Sequence, residues 1–99
     1  MRPTILIAED YDDNRELLRL LLAGANYDVR EARNGQECLT LACQDPPDLI
    51  MVDASLGDTD VQETMHLLAM CPATAHIPVV RLTRGRRIPA RLLAGITPR

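Results

Sequence analysis

Two short apolar runs in this chain of 99 residues end in acid. Ile5-Leu6-Ile7-Ala8 runs into Glu9-Asp10, and Leu49-Ile50-Met51-Val52 runs into Asp53. Continuous apolar runs of this length, bounded by loop signals, read as parallel strands buried on both faces. All strands of a parallel sheet finish at one edge. Glu9, Asp10 and Asp53 therefore converge there, with Asp12, Asp13, Asp58 and Asp60 close by in sequence. Such a cluster repels itself unless a cation sits in it, and a hard divalent ion such as Mg²⁺ takes oxygen ligands of this kind. The chemistry indicated is a metal-assisted reaction at a carboxylate.

The elements that must position these acids alternate between strand and helix signals, which is the pattern of a βα-repeated sheet. The first strand is expected over about 4–8. A helix follows, with Asp12 or Asp13 as N-cap and Glu16 at capping-box spacing. Leu17, Leu18, Leu21, Leu22 and Ala25 form its apolar face, and the stretch from Gly24 to Asn26 breaks it. A short alternating strand spans Val29 to Ala32. The second helix opens after Asn34-Gly35, runs through Leu39 and Ala42, and stops at Asp45-Pro46-Pro47. The third strand is Leu49 to Val52, followed by a polar loop from Asp53 to Asp60. The third helix starts after Asp60, has Glu63 at capping-box spacing, presents Val61, Met65 and Leu68, and ends at Cys71-Pro72. The fourth strand runs from Pro78 to Thr83, with proline at the first position, where it is tolerated.

Composition sets limits. A chain of this length makes one small domain with a thin stability margin. No run approaches the 18 or so apolar residues of a membrane span, and Glu9 and Asp10 interrupt the only apolar run near the N-terminus, which argues against a signal peptide. A cytoplasmic location is expected. Cys38, Cys43 and Cys71 are odd in number and lack metal-ligand spacing, so they read as reduced, small apolar residues. All 14 acids lie at or before Glu63, while six of the 11 arginines follow Pro72, and no residue is lysine.

Several segments together make the chain resemble the receiver domain of two-component response regulators. They are Ile5-Leu6-Ile7-Ala8-Glu9-Asp10, Asn14-Arg15-Glu16-Leu17-Leu18, Glu31-Ala32-Arg33-Asn34-Gly35, Pro46-Pro47-Asp48-Leu49-Ile50-Met51-Val52-Asp53, and Pro72-Ala73-Thr74 through Ile77-Pro78-Val79-Val80-Arg81-Leu82-Thr83. They cover residues 4–83 in order. The resemblance implies a flavodoxin-like α/β sheet of order 2-1-3-4, with its site at the switch point between the first and third strands. It implies that Asp53 is the phosphoacceptor, a carboxylate nucleophile. It implies that Glu9, Asp10 and Asp53 hold Mg²⁺ with the main-chain carbonyl of Ser55, and that the Thr83 hydroxyl bonds the phosphoryl group. The implied partner is a histidine kinase or phosphotransfer protein, and the only chemistry is the domain's own phosphorylation. Taken singly, Asp53 also reads as a loop or N-cap carboxylate, Thr83 as a β-branched strand residue, and Asp12 and Asp13 as solvated cap residues.

The departures bear on output. Gly57 stands where the family usually has proline, Val61 where it has glycine, and Arg84 where it has a small residue. The family's fifth strand, which ends in a lysine that pairs with the phosphoryl group, is not found, nor is the fifth helix. A missing edge strand leaves order 2-1-3-4 possible, but the Leu-rich side of the first helix and the fourth strand should be partly bare. Pairing with a second copy or with another receiver would cover them. Residues 84–99 hold five arginines and no acid. They read as a changed reading frame, as a shortened fourth helix, or as a basic binding tail. The chain has no Phe or Trp, and Tyr11 and Tyr27 are far from this tail, which argues against nucleic-acid stacking. Two functions stay open: a phosphorylatable receiver with impaired output switching, and a degenerate, non-switching receiver remnant that acts as an interaction module.

Overall fold

The computed structural model describes residues 2–53 and 61–82. Four strands and three helices alternate: β1 (Thr4–Ala8), α1 (Asp12–Gly24), β2 (Asp28–Ala32), α2 (Gly35–Gln44), β3 (Leu49–Asp53), α3 (Val61–Met70) and β4 (Val79–Leu82). The strands form one parallel sheet of order β2-β1-β3-β4. This is the flavodoxin-like arrangement expected, and no fifth strand occurs among the described residues. The shortened fourth helix considered for the tail falls on 84–99, outside those residues, as does the expected division between a receiver-like domain over 1–83 and a divergent arginine-rich tail over 84–99.

Side-chain alternation divides the core into two faces. Leu6, Ala8, Ile50 and Val52 point to the face covered by α2 and α3, where they meet Cys38, Ala42, Val61 and Leu68. Ile5, Ile7, Leu49 and Met51 point to the other face and meet Leu22 and Leu18 of α1. Every residue of β1 from Ile5 to Ala8, and of β3 from Leu49 to Asp53, is buried. The apolar runs thus sit at the sheet centre because both of their faces are covered. Among the described residues no helix is long and apolar enough to cross a membrane.

Helix α1 departs from expectation in two ways. Its N-cap is Tyr11, with no side-chain cap hydrogen bond, so neither Asp12 nor Asp13 serves as cap. Asp12 instead takes an ion pair from Arg15, and Glu16 pairs with Arg19 at 3.6 Å. The inward stripe is Arg15, Leu18 and Leu22, at helical spacing. Leu17 and Leu21, expected inside, are exposed together with Leu20, and Ala25 is an exposed C-cap residue. Burial of an arginine at the head of the stripe sets the rotation of the helix and turns those leucines outward. In β4, Val79 packs on the α2–α3 face and Val80 and Leu82 on the α1 face, all three half-buried.

The helix ends follow local chemistry. Asn26 adopts φ 71°, the left-handed conformation a C-terminal turn needs, and Tyr27 N–H donates back to the Leu22 carbonyl at 3.1 Å. Asn34 caps α2, its side chain accepting from Glu37 N–H at 2.8 Å. Val61 opens α3 without a positive φ and is buried, so the replacement of glycine there is accommodated by ordinary helical backbone.

Candidate functional site

The sheet register brings the acids level. Ala8 pairs with Val52, so Glu9 and Asp10 emerge from β1 beside Asp53, the last residue of β3. Carboxylate oxygens of Glu9, Asp10 and Asp53 all lie within 4.8 Å of one another. Glu9 and Asp53 are buried and Asp10 is exposed, which leaves the cluster open on one side. Beyond β3 the next expected ligand, the Ser55 carbonyl, lies outside the described residues, as do Gly57, Asp58 and Asp60. The same holds for Thr83 and Arg84, one and two residues past the end of β4. Asp53 itself pairs with Leu82 in the sheet.

Glu9 is fixed from its main chain as much as from its side chain. Its N–H donates to the Ala32 carbonyl of β2 at 3.0 Å, and its own carbonyl accepts from Arg15 Nη1 at 2.9 Å. Its Oε1 accepts from Tyr11 N–H at 3.2 Å. Burial, followed by the hydrogen bond with Asp53 and the charges of Asp53 and Asp10, pushes the Glu9 carboxyl up to about 7, against the lowering pull of the Tyr11 N–H. A carboxylate pair that shares a proton in this way is a site short of positive charge. A divalent ion can supply that charge in place of the proton, and an all-oxygen donor set suits a hard ion. The residues therefore fit Mg²⁺.

Arg15 is the site residue that the linear sequence did not single out. Its guanidinium is buried beneath the acids, bonded to the Glu9 carbonyl, paired with Asp12, and 3.9 Å from Glu31 of β2. The available signal was its place one helical turn ahead of Leu18 on the inward stripe. An arginine there is normally read as the polar edge of an amphipathic helix.

The chain is similar in sequence and in fold to known proteins. The family described as the response regulator receiver domain matches residues 5–94. The response regulator PleD of Caulobacter vibrioides (strain NA1000 / CB15N) is 36% identical over 92 residues, which is 89% of this chain and 20% of PleD. The polar-differentiation response regulator DivK of Brucella anthropi is 35% identical over 83 residues, 84% of this chain and 68% of DivK. The chain thus spans about a fifth of the length of PleD and about two thirds of DivK. The N-terminal domain of a response regulator receiver protein from Methanoculleus marisnigri JR1 superposes with a TM-score of 0.80 at 30% identity, covering 93% of this chain and 75% of that one. Vibrio cholerae CheY4 superposes at 0.80 with 23% identity, covering 96% of this chain and 78% of that one, a likeness of fold alone.

Proposed function

The chain belongs to the response regulator receiver domain family, and from that premise we propose that it accepts a phosphoryl group on Asp53 in a Mg²⁺-dependent reaction. The observation that carries this reading is the convergence of Glu9, Asp10 and Asp53 within 4.8 Å at the ends of two central strands. One Asp53 oxygen attacks phosphorus as the bond from phosphorus to the donor breaks, and the donor keeps the bonding electron pair. A histidine kinase or phosphotransfer protein is the donor, through the phosphorus–nitrogen bond of a phosphohistidine.

Glu9 and Asp10 would hold the metal together with Asp53 and the Ser55 carbonyl. When bound, Mg²⁺ supplies positive charge that offsets the oxygens of the incoming phosphoryl group. Arg15 holds the Glu9 main chain in place, and the burial of Glu9 and Asp53 limits water at the reacting oxygen. Thr83, next after β4, would contact the transferred group through its hydroxyl. The finer reading is a receiver whose phosphorylation is retained and whose switching is weakened. What supports it is Arg84, which stands directly after Thr83 where the family resemblance implies a small residue. Exposed Leu17, Leu20 and Leu21 on α1 support pairing with a second copy or another receiver. The absence of a membrane-spanning helix among the described residues is consistent with a cytoplasmic domain.

Incubation with acetyl phosphate and Mg²⁺, read by intact mass, tests the phosphoacceptor. One phosphoryl group should be added, slowly, and Asp53→Asn should add none. Equal labelling of Asp53→Asn would overturn the assignment.

A further inference from the structure

The three cysteines are free thiols of two kinds. Cys38 fits the reading as a small apolar residue: it is fully buried, and burial pushes its thiol up to about 12. Cys43 and Cys71 do not fit it. Cys43 sits on the last turn of α2 and is exposed, whereas Cys71 follows α3 directly and is half-buried. Both helices run back toward the start of the strands, so these residues stand at the sheet edge opposite the acids. Their sulfurs are 3.3 Å apart.

The backbone around Cys71 is held in place. Its N–H donates to the Leu67 carbonyl at 3.1 Å, and its own carbonyl accepts from Thr74 N–H at 3.0 Å and from Ala75 N–H at 2.8 Å. Thr74 Oγ1 in turn donates to the Leu68 carbonyl at 2.6 Å, which ties the turn to α3. The approach of the two sulfurs is therefore built into the packing of α2 on α3. A covalent S–S bond is about 2.05 Å, so closure asks for roughly 1.3 Å of movement at side chains open to solvent.

We propose that Cys43 and Cys71 form a redox site that closes into a reversible intrachain disulfide by exchange with a low-molecular-weight disulfide such as oxidised glutathione. The Cys71 thiolate attacks one sulfur of the incoming disulfide, whose S–S bond breaks, and one thiolate leaves with the electron pair. Cys43 then gives up its proton to solvent and attacks the Cys71 sulfur of the mixed disulfide. The second small thiolate leaves. In sum, two cysteine thiols lose two electrons and two protons, and the small disulfide is reduced to two thiols.

The environment assigns the order of attack. The two sulfurs share one contact in which either can donate; that contact and the Ala73 N–H pull the Cys71 thiol below the ordinary range, whereas the same contact pushes Cys43 up. The closed segment runs through β3 and α3 and so contains Asp53. The proposal is independent of phosphorylation, because neither sulfur touches the acidic site.

The test uses the whole chain, treated with oxidised glutathione, alkylated, and mapped by peptide mass. The expected product is a monomer lighter by two hydrogens, with the Cys43 and Cys71 peptides linked and Cys38 alkylated only after unfolding. Its melting temperature should rise by about 5–10 °C and return to the starting value with dithiothreitol. Cys43→Ser should accumulate a glutathione adduct on Cys71. Cys71→Ser should form an adduct on Cys43 several-fold more slowly. Stable adducts on both thiols of the unsubstituted chain, or links only between separate chains, would overturn the proposal.

Discussion

Arg15 and Glu9 are joined through the main chain. Arg15 Nη1 donates to the Glu9 carbonyl oxygen at 2.9 Å, while the Glu9 carboxylate turns the other way, toward Asp10 and Asp53. One residue thus serves two networks. The carbonyl anchors the strand end to α1, and the carboxylate is left for the acidic site. A bond from Arg15 to the carboxylate would have neutralised it and removed the need for a cation.

Removing Arg15 should therefore loosen the site from beneath. Arg15→Ala leaves a buried carbonyl without its charged donor, at a cost of about 2–3 kcal/mol in urea denaturation. It should also weaken Mg²⁺ stabilisation, because Glu9 loses its anchor. Arg15→Lys should recover only part of the loss, since a single ammonium cannot reproduce the fork that spans the Glu9 carbonyl and Asp12. A fully stable Arg15→Ala would show that the contact contributes nothing to the fold.

The end of α1 offers a stabilising change. Gly24 has ordinary negative φ, and a Cβ placed there meets nothing within 4 Å. Gly24→Ala should raise stability by about 0.5–1 kcal/mol through the entropy of the unfolded chain. The left-handed residue is its neighbour Asn26, at φ 71°. Asn26→Ala should be destabilising, and Asn26→Gly neutral or better. Destabilisation by Gly24→Ala would mean that the turn needs glycine at 24 after all.

Thr64 of α3 is fully buried, and its hydroxyl has no hydrogen-bond partner among the described residues. Thr64→Val keeps the shape and removes the unsatisfied group. It should stabilise by about 1 kcal/mol, measured as a shift in the urea midpoint at unchanged slope. A loss of stability would point to a polar partner for that hydroxyl.

The sheet was legible because β1 and β3 are buried on both faces, and strands so covered in a parallel sheet are apolar at nearly every position, as Ile5–Ala8 and Leu49–Val52 are. The convergence of Glu9, Asp10 and Asp53 followed from the strand direction. The face of α1 was not legible. Five leucines at 17, 18, 20, 21 and 22 allow several rotations, and the deciding contact is a buried arginine whose partner is a main-chain carbonyl six residues earlier. The approach of Cys43 to Cys71 was hidden for a similar reason. It depends on how the ends of two helices pack, which no spacing along the chain encodes.

The titration of Glu9 ties the fold to the metal. Its carboxyl is pushed up to about 7 from an ordinary value of 4.5, first by burial and then by its hydrogen bond with Asp53. The native state therefore keeps a proton across that interval which the unfolded chain has released. Without metal, the stability this group contributes is fully present below about 4.5 and is lost as pH rises through about 7. The metal-free melting temperature should accordingly fall between about pH 5 and about pH 8, and Glu9→Gln, which cannot titrate, should flatten that part of the profile. Mg²⁺ competes with the same proton, so its stabilisation should grow over the same range and be smallest at the acid end. Asp10→Asn should weaken the Mg²⁺ effect while leaving most of the metal-free pH slope, because burial and Asp53 contribute more to the Glu9 shift than Asp10 does. Thermal melts in EDTA and in millimolar Mg²⁺ decide the matter. A metal effect equal at both ends of the range, or a pH profile that Glu9→Gln does not change, would separate the acidic cluster from metal binding.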